Sequence, residues 1–175
     1  MKLKKSVLLI LLSFAIISSC KNKEKVEVET LAKEVVIDIE SEKQSVEKVM
    51  KAYKDAIQNL TTEGTFELFT PDATVFEQGK VEGTYKDYID HHLGPELGHF
   101  KSFTFSDYEI NTTVNLSYAY TTENYIYTIV LKGDEAKGTQ ERTIESKGVA
   151  TSILEKINGE WKIIHSHTSF KKLKQ

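Results

Sequence analysis

The 175-residue chain carries 26 acidic against 23 basic side chains, a formal net charge of −3, which argues against a nucleic-acid partner because those present a basic face. Cys20 is the only cysteine, so no internal disulfide can staple the fold. With 39% hydrophobic residues the chain can build one domain around its own core.

The N-terminus reads first. Met1 to Lys5 holds three lysines, and a mainly apolar run follows from Val7 to Ile17. Then comes Ser18-Ser19-Cys20. A charged start, a short apolar stretch and small residues describe a secretory signal. The run is too short for a spanning helix, which needs about 20 apolar residues. Small residues before a cysteine resemble the lipobox of bacterial lipoproteins. The resemblance implies a signal peptide over residues 1–19, cleavage before Cys20 and lipidation of that cysteine. Several acyl chains on one residue anchor stably where one is marginal. The expected location is the outer membrane, facing the periplasm, because Lys21 rather than an aspartate follows the cysteine. Losing residues 1–19 leaves 20 basic and 26 acidic side chains, a net charge near −6. Residues 20–40 are read as lipidated cysteine and tether, since Lys21 to Thr30 is highly charged and lacks aromatics. Val35, Val36, Ile37 and Ile39 leave the second half open between a strand and a helix lead-in. One domain is expected over residues 41–175.

Within it, Val46, Val49, Met50, Tyr53, Ile57 and Leu60 recur at helical steps and predict an amphipathic helix over 45–60, with Ser41 and Gln44 as a capping box. A short helix is expected over 63–68, and a strand over 73–77 after the Pro71-Asp72 turn. Gly79 and Gly83 bracket a tight connection. Thr84 is a good N-cap, with Asp87 three residues on, for a helix reaching Leu93 and ended by Gly94-Pro95. From Phe100 the pattern is of strands: Phe103 and Phe105 alternate with polar residues, and long runs cover 116–131, 139–157 and 160–170. Asn158-Gly159 is the strongest hairpin signal. Helices first and a strand meander after give an α+β class.

The phrase Phe69-Thr70-Pro71-Asp72-Ala73-Thr74-Val75-Phe76 and the ending Asn158-Gly159-Glu160-Trp161-Lys162-Ile163-Ile164-His165-Ser166-His167-Thr168-Ser169 resemble the nuclear transport factor two-like superfamily, over roughly residues 44–170. The likeness is greatest to SnoaL-like proteins and to the association domains of calmodulin-dependent kinases. The resemblance implies a cone: a strongly curved antiparallel sheet around a pocket, closed by N-terminal helices. It also implies a homodimer through the outer sheet face. It does not fix a reaction, because members span enzymes, binding proteins and oligomerisation modules.

Strict alternation in the last strand puts Trp161, Ile163, His165, His167 and Ser169 on one face, which in the resembled family looks into the pocket. Two imidazoles two residues apart lie about 7 Å from each other. His92, in phase with Tyr85 and Ile89, is expected beside them, and with Glu77 and Tyr53 forms the candidate site. Neutral histidine serves as general base, acid or ligand near neutral pH. His91, Arg142 and Trp161 are further pocket candidates, Arg142 because its fork suits a carboxylate. His92, His165 and His167 could together hold a metal, though their spacing is no recognised zinc pattern. Tyr118 and Tyr120 share one face of their strand, Tyr125 and Tyr127 the other. With no Gly-rich phosphate loop and no serine elbow, no cofactor is expected. Three functions stay open: a binding domain for a small, partly apolar molecule, a small isomerase-, dehydratase- or hydrolase-type enzyme using histidine acid/base chemistry, and an assembly module.

Overall fold

The structure is a computed structural model and describes residues 38–134, 136 and 138–174. Cys20 and the expected signal and tether lie outside these, except for the last three tether residues.

The first helix, α1, spans Ile39–Gln58 and starts earlier than its apolar stripe. Its N-cap is Asp38 rather than Ser41, because the Asp38 carboxylate accepts the Ser41 amide at 3.2 Å. Val46, Met50 and Ile57 are its buried residues, one stripe at helical spacing. The 63–68 segment gives only a 3₁₀ turn at Phe66–Leu68.

Strand β1 (Phe69–Glu77) and β2 (Lys80–Thr84) form a hairpin where the sequence suggested only a connection. Its turn is Gln78-Gly79, with φ of 50° and 79°. Asn158-Gly159, at 52° and 88°, joins β5 (Arg142–Ile157) to β6 (Glu160–Lys172) in the same way. Positive φ at both central residues matches the right-handed twist of the flanking strands. β3 (Phe100–Asn115) and β4 (Tyr118–Leu131) complete one sheet, in the order β2-β1-β6-β5-β4-β3. Only β1 and β6 run parallel.

Between the hairpin and β3, the Thr84–Asp87 capping box starts α2 (Tyr85–Tyr88). Gly94-Pro95 does not stop the chain there. A π turn at Ile89–Leu93 leads into α3 (Gly94–His99), where Pro95 occupies a first-turn position that needs no amide donor. The wider turn brings the Ile89 carbonyl so close to Gly94 that any Cβ would collide with it.

α1 packs over β3 and β6 on the inner face of the sheet. There Val46, Met50, Ala119, Leu154, Trp161 and Ile163 close the core. Trp161 donates to Glu42 of α1 at 2.8 Å, and Lys156 braces the same carboxylate at 2.6 and 2.7 Å.

Two bulges reset the alternation on which the inner face depends. In β6, Leu154 pairs with Ile163 but Ile153 pairs with His165, so Ile164 is an extra residue. Inward residues are Trp161 and Ile163 before it, and Ser166, Thr168 and Phe170 after it. In β3, Ser106 pairs with Ile126 and Glu109 with Asn124, leaving one residue too many around Asp107, whose φ is 48°. Phe103 and Phe105 point inward before that bulge and Tyr108 after it.

Candidate functional site

The inner face encloses a cavity of about 600 Å³. Its wall is aromatic and aliphatic: Phe100, Phe103 and Phe105 from β3, Tyr125, Tyr127 and Ile129 from β4, Phe170 from β6, and Tyr53 and Ile57 from α1. Phe103 stacks on Tyr127 with centroids 5.3 Å apart, and Phe105 meets Tyr125 edge-on at 5.0 Å. Pockets of this size and lining, with a few convergent polar groups, are the usual form of a small-molecule site.

The polar groups converge where β1, β2, α2 and the π turn meet. Tyr88 donates its hydroxyl to Glu77 at 2.8 Å. His92 Nε2 lies 3.9 Å from Glu77 Oε2 and 3.4 Å from Glu96 Oε1. His92 Nδ1 is 3.0 Å from Glu82 Oε1, but off the alignment of a hydrogen bond, so both atoms are buried without a directed partner. Burial pushes the Glu77 carboxyl above its usual value of 4.5, against the Tyr88 hydrogen bond and the nearby His92, which pull it down. Glu82 differs: burial pushes it up, but Lys80 at 2.7 Å and His92 outweigh that and hold it low. Two neighbouring carboxyls are thus driven in opposite directions. Burial also pushes the Tyr53 and Tyr88 hydroxyls well above 10, so both remain donors.

Of the residues picked out by sequence, Tyr53, Glu77 and His92 line this cavity together. The expectation that His165 and His167 look into it is not met. The bulge at Ile164 turns them to the outer face, where His165 Nδ1 meets Thr74 Oγ1 at 2.7 Å and both rings pack against Phe76. His92, His165 and His167 are therefore not brought together, and among the described residues no cluster of three or more His, Cys, Asp or Glu side chains is arranged for a metal ion. Trp161 sits in the core under α1, held there by Glu42. His91 faces solvent from the π turn, and Arg142 is exposed at the first position of β5.

Several lining residues escaped the sequence reading. Tyr88 and Glu96 lie four residues either side of the predicted His92, a stripe that could have been seen. Gln78 was not singled out in the sequence. Its side chain accepts the Phe170 amide at 2.9 Å and donates to the Phe170 carbonyl at 3.1 Å, fixing the end of β6 at the cavity wall. Glu123 sits in phase with Thr121, Tyr125 and Tyr127, and a glutamate among inward residues is itself a signal.

A helix-covered, mostly antiparallel six-stranded sheet around an aromatic cavity defines an α+β protein of the nuclear transport factor 2-like class. Residues 46–171 match the SnoaL-like domain, and the chain belongs to that family. Solved structures agree. A nuclear transport factor 2-like superfamily protein from Salmonella enterica superposes with a TM-score of 0.61 at 19% identity, over 78% of this chain and 94% of that one. A candidate ketosteroid isomerase from Shewanella frigidimarina gives 0.59 at 26% identity, over 70% and 92%. A candidate dehydratase from Streptomyces avermitilis gives 0.61 at 15%, over 74% and 96%. No curated protein matches the chain.

Proposed function

We propose that this domain binds a small, largely apolar molecule bearing one oxygen function, and that lipid on Cys20 holds it on a membrane, facing the periplasm. The cavity carries this reading. Its aromatic wall of about 600 Å³ would desolvate a ring system, while Tyr88, Glu77 and His92 offer a donor and acceptors at one place. The test is a thermal-unfolding screen with small carbonyl and hydroxyl compounds. A true ligand at a hundred times its Kd adds about 2.7 kcal/mol of stability. The same compound should add much less to Glu77→Gln. Absence of any stabilising compound in an apolar panel would count against the reading.

A second reading is supported by one observation. Glu77 is a carboxyl raised by burial and hydrogen-bonded to a tyrosine, in a cavity whose wall is mainly apolar. Such a group can take a proton from carbon next to a carbonyl, with His92 as donor to the oxygen. The candidate isomerase and dehydratase among the similar structures support the same reaction class. Deuterium exchange into a ketone held at saturating concentration, abolished in Glu77→Gln, would distinguish turnover from binding.

Anchoring and assembly are separate parts of the proposal. Cys20→Ser should move the chain from the membrane to the soluble fraction and abolish labelling by a radioactive fatty acid. The outer face exposes Tyr118, Tyr120, Val149 and Ile153, an apolar surface suited to a second copy. Tyr120→Glu should then give a monomer by analytical ultracentrifugation.

A further inference from the structure

Behind Tyr125 lies a second, smaller cavity of about 50 Å³. It shares Tyr53, Ile57, Phe105, Tyr125 and Thr168 with the large one, so these five side chains form the partition between the two. Glu123 is only 8% exposed and lines the small cavity. Tyr108 donates to its Oε2 at 2.6 Å and Thr121 to its Oε1 at 3.2 Å. The inner side thus holds a second tyrosine–glutamate pair, separate from Tyr88–Glu77 and unused by the reading above.

This pair is built by local departures from regular structure. Without the extra residue at Asp107, strand alternation would point Tyr108 outward. The bulge turns it inward onto Glu123, at the expense of a left-handed backbone at a non-glycine residue. Strain of that kind concentrates where a side chain must be re-aimed for a task. On the neighbouring strands the inward residues beside Glu123 are small: Ala150, Ser152 and Ser166 leave the space open. A buried carboxylate has about four lone-pair positions, and Tyr108 and Thr121 occupy two. A water molecule takes up about 30 Å³ of liquid, so the space suits one hydroxyl.

We infer that Tyr108 and Glu123 form a second recognition subsite, at which Glu123 accepts a hydrogen bond from a hydroxyl on the far end of the ligand held by Tyr88, Glu77 and His92. The inference rests on the binding reading above and adds a substrate class to it: elongated apolar molecules with an oxygen at each end. Tyr108 is the positioning residue, since it orients the carboxylate. The ligand would pass between Tyr53 and Tyr125, which line both spaces.

The test uses the full chain and two compounds, para-benzylphenol and bis(para-hydroxyphenyl)methane, which differ by one terminal hydroxyl. Calorimetric titration should show the bisphenol binding roughly tenfold tighter, the range for a hydrogen bond to a buried charged acceptor. Glu123→Leu should erase that preference while para-benzylphenol still binds. Ala150→Leu, which fills the small cavity from the position opposite Glu123 and leaves the acid in place, should erase it too and guards against a misfolded Glu123 variant. Equal binding of both phenols by the wild type, or a preference that survives both substitutions, would overturn the inference and leave the binding reading standing. Failure of the wild type to bind either phenol would count against both.

Discussion

Gly148 of β5 lies directly beneath the ring of Tyr125 on β4. A Cβ at position 148 would meet the ring Cε2 inside contact distance, with Cδ2 and Cζ at 2.9 Å. The glycine is needed for space, and that space sets the aromatic partition between the two cavities. Gly148→Ala should therefore cost about 1–3 kcal/mol, as overpacking does. Urea unfolding of Gly148→Ala, Tyr125→Leu and the double variant would check this. The double variant should recover most of the loss, and additive losses would contradict the contact.

Burial raises the Glu77 and Glu123 carboxyls in the folded state. A raised carboxyl favours the folded state below its unfolded value of about 4.5, and that advantage is lost as pH rises through the folded value. At pH 7 both groups are a burden on stability. Glu77→Gln and Glu123→Gln should each unfold at higher urea than the wild type at neutral pH, with the gap closing as pH falls toward 4. A gap independent of pH would show that neither carboxyl is perturbed.

Glu42 joins α1 to the sheet through Trp161 and Lys156. Glu42→Ala leaves the indole donor, 4% exposed with its residue, without a partner and should cost about 1–3 kcal/mol. Trp161 is the only tryptophan, so its fluorescence reports the transition directly. The Glu42 carboxyl is held low, first by the Lys156 hydrogen bond and then by Trp161. Its contribution is present above 4.5 and should fade on acidification below that value.

His165 and His167 lie on the outer face and His92 in the cavity. The His165→Ala/His167→Ala double variant should bind cavity ligands as the wild type does, whereas His92→Ala should weaken binding several-fold. Equal losses in the two proteins, measured by calorimetric titration, would contradict the placement.

The difference between sequence and structure in β6 comes down to one residue. Period-two alternation is a sound rule for a regular strand, and it placed Trp161 and Ile163 on the face they occupy. Ile164 breaks the period, and nothing in an apolar residue within an apolar run announces a bulge. Asp107 in β3 has the same effect, although an aspartate tolerating positive φ was a faint cue. The Thr84–Asp87 cap, the Asn158-Gly159 turn and the α1 stripe were legible because each depends on near neighbours. The Tyr88–Glu77 and Tyr108–Glu123 pairs were not, because they join residues that only the sheet register and helix packing bring together. His92 and Tyr53 were found by phase on their own helices, which the fold preserved.

The most direct test of the binding reading is native mass spectrometry of the chain purified gently from the cells that make it, beside Ile144→Trp, which narrows the large cavity from β5. The account predicts an added small-molecule mass on the wild type, absent from Ile144→Trp and retained by the His165→Ala/His167→Ala variant. An added mass that persists in Ile144→Trp and disappears with the outer-face histidines would contradict it, because the ligand would then sit on the opposite side of the sheet.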